Sequence, residues 1–190
     1  MKNLIIFEGI TSSGKTTLEK FLAEALPRST VISEGTTLMP LVENTDANLA
    51  QKFLKEQLKI ISENPAKTII IDRFHFTHAF RTQSDLYTFS AIETDLQKIG
   101  TVLVVFLTIE PSHIQERIEE TIQYRKDDWK KGAQGSLEEK VAYYANQQHT
   151  LQSFVASTSL PTLTIDTTNK AWNEYAKEIL SKVDDIHQSS

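Results

Sequence analysis

Three stretches of the chain each carry an unbroken apolar run: "NLIIF" at 3–7, "TIII" at 68–71 and "VLVVFL" at 102–107. Short runs rich in Ile and Val, with no polar alternation, suit strands covered on both faces, as in a parallel sheet. With two weaker runs they predict strands near 3–8, 30–33, 68–72, 101–107 and 162–165. Helical spacing fills the intervals, over 15–26, roughly 40–62, 84–99, 111–123, 136–156 and 170–183. In the 136–156 segment Leu137, Val141, Tyr144, Leu151 and Phe154 recur at spacings near three, four and seven, a core-facing stripe. The tail "DDIHQSS" is expected to fray. Strands alternating with helices imply right-handed βαβ crossovers and a single α/β domain over residues 1–190. No internal repeat or low-complexity linker interrupts the pattern.

The turn between the first strand and the first helix is unusual in composition. Residues 8–17 read "EGITSSGKTT", and within them Gly9 to Thr16 fits G-x-x-x-x-G-K-[ST]. A buried strand stands before it and a helix after it, which is the context a phosphate-binding loop requires. The glycines let the backbone turn several N–H groups inward as an anion nest, and the helix N-terminus adds its partial positive charge. Gly9, Thr11, Ser12, Ser13, Gly14, Lys15, Thr16 and Thr17 are thus expected to cradle a triphosphate. Lys15 would reach its β- and γ-phosphates, and the Thr16 hydroxyl would ligate Mg²⁺.

Ligands of open α/β sheets bind at the carboxyl ends of the strands, so the residues just past each apolar run are the candidates for the remaining chemistry. Glu34, in "SEGTT", follows the second strand and is a candidate base or sugar ligand. Asp72 ends the third strand, where a carboxylate would organise Mg²⁺, often through water; Arg73 follows and would face the phosphates. Phe74, Phe76 and Phe80 suit either nucleobase stacking or core. Glu110 before Pro111 suits a helix start or a second metal carboxylate. Beyond the fourth strand the helix carries Arg117, a nucleotide-binding candidate, and runs into "QYRKDDWKKGAQGS". Arg125, Lys126, Lys130 and Lys131 there could close over the triphosphate as a lid at 124–134, with Arg125 the leading catalytic candidate. His75 and His78 read as polar lining; the five histidines show no metal-ligand spacing.

Composition narrows the partners. The chain has 190 residues, net charge −5 and no cysteine. An acidic balance argues against broad binding of a nucleic acid polymer. The absence of cysteine rules out disulfides and thiolate metal sites and fits a cytoplasmic protein. No apolar run reaches about 18 residues, so no membrane span is expected, and the start lacks the form of a signal peptide.

"IIFEGITSSGKTT", "IDRFHFTHAF" and "VLVVFLTIEPSHIQERI" with the basic segment after it resemble the thymidylate kinase and deoxynucleoside kinase group of P-loop kinases. The likeness covers about residues 3–130, and "TLTIDTT" is similar to the group's last strand. It implies a P-loop NTPase three-layer fold, with a five-stranded parallel sheet in the order 2-3-1-4-5 flanked by helices. It implies ATP and Mg²⁺ as cofactors, a small nucleoside or nucleotide acceptor, and catalytic roles for Lys15, Thr16, Asp72, Arg73 and the lid arginines; a homodimer is left open. The chain also departs from the group. Serine stands where thymidylate kinases carry the arginine of an Arg-Glu-Pro-Gly stretch, and Asp-Arg-Phe replaces the Glu-Arg-Ser of deoxynucleoside kinases. Asp72-Arg73 is nearer the thymidylate kinase form and Glu34 is similar to the deoxynucleoside kinase base, so both acceptors stay open, with a small lean to the monophosphate. A kinase for another small metabolite, and a nucleotide switch with slow hydrolysis, are the remaining readings. No guanine-reading Asn-Lys-x-Asp stretch supports the switch.

Overall fold

The structure, a computed structural model, describes residues 2–124 and 135–188. Five strands, β1 (Lys2–Gly9), β2 (Ser29–Ile32), β3 (Thr68–Asp72), β4 (Gly100–Thr108) and β5 (Thr162–Asp166), form one parallel sheet in the order β2-β3-β1-β4-β5. β1 is central, pairing Asn3 with Thr68 through Phe7 with Asp72 on one side, and Lys2 with Gly100 through Gly9 with Leu107 on the other. Both the architecture and the strand order implied by the sequence are therefore present.

The unbroken apolar runs have a direct cause: successive side chains serve two different cores. Leu4, Ile6, Ile69, Ile71, Val102, Val104 and Phe106 face one layer of helices. Ile5, Phe7, Ile70, Leu103, Val105 and Leu107 face the other. The first layer holds α3 (Ala47–Glu63), α4 (His75–Arg81), α5 (Ser90–Ile99) and the C-terminal half of α7 (Leu137–Ser157); the second holds α1 (Lys15–Ala25) and α8 (Trp172–Gln188). A third cluster, Ile10, Ile109, Ile114 and Ile118, packs α6 (Ile114–Tyr124) against Leu137, Val141 and Tyr144 of α7. The stripe read along 136–156 is thus core, as expected, but it serves two clusters in turn. α7 opens with a capping box between Ser136 and Glu139.

Several boundaries differ from the sequence reading. The 40–62 helix starts only at Ala47, where the Asp46 carboxylate accepts from Asn48 N–H, because Pro40 supports a separate 3-10 turn at Met39–Leu41. A short α2 (Glu34–Thr37) lies between β2 and that turn. The segment after Asp72, without helical spacing of its own, forms α4. The 84–99 helix divides into a 3-10 turn at Leu86–Phe89 and α5. Helix α8 continues through the tail expected to fray as far as Gln188, with Val183 still in the core.

α4 exists because of a charge on another strand. Glu8, fully buried near the end of β1, accepts through Oε1 from the N–H groups of Phe74 (2.8 Å), Phe76 (3.1 Å) and Thr77 (3.3 Å). Its Oε2 accepts from Thr77 Oγ1 at 2.5 Å. A carboxylate thus satisfies the donors that a helix start leaves orphaned. Glu8→Ala would strand three buried N–H groups and should lower unfolding free energy by about 3 kcal/mol or more, read by urea titration. A wild-type midpoint would refute this account of α4.

Candidate active site

All five strands end at the same edge, and the segments beyond all five ends build the site. Gly9 and Gly14 both adopt left-handed φ, at +146° and +91°. A Cβ at Gly9 would lie 2.6 Å from Leu107 O, and one at Gly14 would lie 2.5 Å from the Trp172 ring. Both conformation and space therefore require glycine. Ser12 is also left-handed, at φ 71°, and is held from outside. Arg117 donates from Nη2 to Ser12 O (2.9 Å), Thr121 Oγ1 bonds Ser12 Oγ (2.6 Å), and Thr167 Oγ1 donates to Ser13 O (2.9 Å). Arg117 also donates to Thr167 O (3.2 Å) and lies 5.5 Å from the Trp172 ring centroid. It thus clamps the loop to the β5–α8 connection; burial lowers its pKa from the ordinary value.

The loop borders a cleft of about 360 Å³ lined by Thr11, Ser12, Gly14, Lys15, Thr16, Thr17, Glu34, Asp72, Arg73, Arg117, Glu120, Thr121, Lys170 and Trp172. Most residues singled out in the sequence meet here. Gly9 and Ser13 are buried behind the lining. Arg125 and the rest of the basic segment lie outside the described residues.

Lys15 folds onto the loop, donating from Nζ to Ile10 O (3.0 Å) and Gly9 O (3.3 Å). Burial, then the Arg73 charge, lowers its pKa to about 8, against the opposing pull of Asp72, Glu34 and Glu19. Arg73 stands at φ 61° directly after β3 and is 4% exposed. Its N–H continues the sheet pairing to Phe7 O (2.9 Å), while Nη1 donates to Gly9 O (2.8 Å) and Nε lies 3.2 Å from Glu34 Oε1. A left-handed non-glycine residue stores strain, here at the point where its guanidinium reaches both the loop and Glu34. Asp72 is held by Thr37, whose Oγ1 donates to its carbonyl at 2.5 Å. The Thr16 hydroxyl and the Asp72 carboxylate are hard oxygen donors and fit Mg²⁺. Among the described residues no three His, Cys, Asp or Glu side chains converge to hold a metal. A cation here would take the rest of its shell from phosphate oxygens and water, as Mg²⁺ commonly does.

The other candidates resolve differently. Phe74 and Phe76 are fully buried core, whereas Phe80 is only partly buried. It lies 5.7 Å from the Tyr143 ring and borders a second cleft of about 670 Å³ with Val42, Arg81, Asn146 and Thr150. The two histidines are buried rather than lining either cleft. His75 Nε2 meets Glu93 Oε1 at 3.2 Å, and His78 Nε2 meets Thr37 O at 2.8 Å. Burial alone would raise Glu93, but hydrogen bonds from His75, Thr158 and Ser159 hold it down at about 2. Glu110 is exposed, 3.5 Å from His113 Nδ1, and belongs to a helix start.

Glu19, Glu120, Thr121, Lys170 and Trp172 were not anticipated. The last four come from the helix and loop after β4 and β5, far from the motif in sequence; the Lys170–Glu120 pair, at 2.7 Å, joins residues 50 apart. Glu19 had one available signal, its position one helical turn beyond Lys15. It is 4% exposed, and burial followed by the Asp72 charge raises its pKa to about 8.

No protein-family model matches the chain, and no curated protein matches it in sequence. Solved structures do match in shape. YorR protein from Bacillus subtilis, in complex with phosphorylated GDP, aligns with TM-score 0.72 and 20% identity, over 97% of this chain and 98% of that one. Thymidylate kinase from Candida albicans aligns with TM-score 0.57 and 17% identity, over 96% and 91%. Shikimate kinase from Acinetobacter baumannii, in complex with shikimate, aligns with TM-score 0.58 and 19% identity, over 96% and 93%. Together with the strand order and the Gly9–Thr16 loop, these define the fold as that of the P-loop kinases. Thymidylate kinase, named by the sequence resemblance, is among the proteins that share it.

Proposed function

We propose that this chain is a kinase that transfers the γ-phosphoryl group of ATP, with Mg²⁺, to a nucleoside monophosphate. The carrying observation is the shared cleft: Lys15, Thr16, Asp72, Arg73 and Glu34 meet over a loop whose backbone only glycine can follow at Gly9 and Gly14. Lys15 and the loop amides would hold the triphosphate, with Thr16 directly and Asp72 through water on the cation. Mg²⁺ neutralises charge on the phosphates when bound. Arg73, fixed by Gly9 O, would present its guanidinium to the acceptor phosphate. α4, seven residues or about 10 Å long, begins two residues beyond Arg73 and ends at Arg81 beside the 670 Å³ cleft. That span suits an acceptor with its phosphate at Arg73 and its body beside Phe80. The basic segment at 124–134 follows α6 directly, whose Arg117 and Thr121 grip the loop, and enters this reading as its lid.

One observation favours a second acceptor. Glu34 is partly exposed in the cleft and lies 3.2 Å from Arg73 Nε, so its carboxyl group stands where a nucleoside hydroxyl would lose a proton. Kinases of nucleotides and of shikimate share the fold, so a hydroxylated metabolite belongs in the same comparison. Release of ADP from ATP and Mg²⁺ should be stimulated at least about tenfold by one member of a panel of nucleoside monophosphates, nucleosides and shikimate-like hydroxy acids. Hydrolysis at an unchanged rate with every acceptor would replace the kinase reading with that of a nucleotide-dependent switch. No helix among the described residues is long and apolar enough to cross a membrane.

A further inference from the structure

We infer that Glu19 is a positioning residue for the divalent cation: its buried carboxylate accepts hydrogen bonds from the cation's water shell and so holds the cation in register with the phosphates. This rests on the reading of the cleft as a cation–nucleotide site and adds to it a residue outside the phosphate-loop motif.

The argument starts from what this side chain lacks. On α1 the buried face is Lys15, Leu18, Glu19 and Leu22. Leucines are expected there, since the helix packs on the sheet. A glutamate at 4% exposure is not, and its Oε1 is sealed from solvent without a hydrogen bond from any described residue. Burying a carboxylate that way costs far more than burying a leucine or a hydrogen-bonded amide. Its surroundings do not repay this. Among the charges around it Asp72, of the same sign, acts most strongly; Glu34 repels it as well, while Lys15 and Arg73 attract it. Lys15 is already engaged with the carbonyls of Gly9 and Ile10, and Arg73 with Gly9 and Glu34.

The placement supplies a use. Glu19 lies one turn beyond Lys15 on the same helix face, next to Thr16 on one side and Asp72 across the α1–β3 contact. It does not line the cleft itself, so its carboxyl group would reach the cation through water and not by direct ligation. Mg²⁺ sheds water reluctantly, and its bound waters need acceptors; a carboxylate behind the first layer of ligands provides one and orients it.

Mn²⁺ serves as the probe, followed by electron paramagnetic resonance with ADP bound. Glu19→Gln should weaken Mn²⁺ binding in the ADP complex by roughly 10- to 100-fold. ADP affinity in EDTA should stay within about twofold, and Tm without metal should not fall, because Gln keeps the shape of the side chain and costs no more to bury than a carboxyl group without a partner. If Glu19→Gln fails to fold, Glu19→Asp takes its place. It keeps the carboxyl group but draws it back by one methylene, and a loss of Mn²⁺ affinity is expected there too. Unchanged Mn²⁺ affinity in whichever variant folds would overturn the inference. So would a fall in ADP affinity in EDTA with Mn²⁺ binding intact, since Glu19 would then act through Lys15. Wild-type protein that binds neither ADP nor Mn²⁺ would instead sink the reading of the cleft, a separate and distinguishable result.

Discussion

Lys15→Ala should lower kcat for phosphoryl transfer by roughly 10³-fold while Tm stays at or above that of the wild type. The loss follows from what the ammonium does. It sits on the carbonyls of Gly9 and Ile10, within reach of the loop's inward face. A triphosphate would draw it onto the β- and γ-oxygens, where charge shifts during transfer. Among the described residues the other cations of the cleft are already engaged: Arg73 with Gly9 O and Glu34, Arg117 with Ser12 O and Thr167 O, and Lys170 with Glu120. The fold, by contrast, gains nothing from the charge. Burial holds the Lys15 pKa at about 8, below its value in an unfolded chain, so the folded state binds the proton less tightly. That penalty is present at neutral pH and disappears as pH rises through the unfolded value near 10.5. Removing the side chain removes the penalty, and water at the cleft can reach the freed carbonyls. Activity and Tm, measured on the same preparation, decide the matter. Near-normal turnover would refute the phosphate-loop assignment; a large drop in Tm would show that the lysine holds the loop together.

The sheet was legible in the sequence because its signal is local. Each buried strand is a run of Ile and Val between polar turns, and the strand boundaries fall within a residue or so of where those runs place them. The phosphate loop was legible for a related reason, since its glycines, lysine and threonines are consecutive. α4 was not. Its seven residues carry no period, and its start depends on Glu8, some 66 residues earlier in the chain. Glu8 opens the stretch "EGITSSGKTT", but its chemistry is that of a cap on another element. The same holds for most of the ring of residues around Ser12. Arg117 was visible as a candidate on the helix after β4, but Thr121, Thr167 and Trp172 act through contacts more than 100 residues apart in the chain, which no spacing rule can show. Asp72 and Arg73 were found because a sheet-edge rule pointed at the residue after each strand. Glu19 was missed because an acidic residue within an amphipathic helix ordinarily faces water, and only the fold shows that this one does not.

The acceptor should separate two variants of one ion pair. Glu34 and Arg73 meet at 3.2 Å, and each acceptor class would use a different half. A nucleoside monophosphate brings an oxygen that is already ionised, so no base is needed. Arg73→Ala should then raise the acceptor KM by roughly 100-fold, because a phosphate dianion loses its guanidinium partner. In that case Glu34→Gln should change kcat by no more than about threefold and act on the acceptor KM instead, since it frees the guanidinium from a competing carboxylate. A nucleoside brings a hydroxyl that must lose a proton. Glu34→Gln keeps the shape of the side chain but cannot take that proton, and kcat should fall by roughly 100-fold with KM nearly unchanged. The first pattern is expected. Arg73 is buried, strained at φ 61° and anchored to the phosphate loop, an expensive way to hold a guanidinium that serves only as counter-ion to a partly exposed glutamate. The missing arginine before Glu34 works against it, because Arg73 must then hold the acceptor phosphate without that second cation. A 100-fold loss of kcat in Glu34→Gln at constant KM, with a nucleoside as the working acceptor, would reverse the assignment and make Glu34 the base.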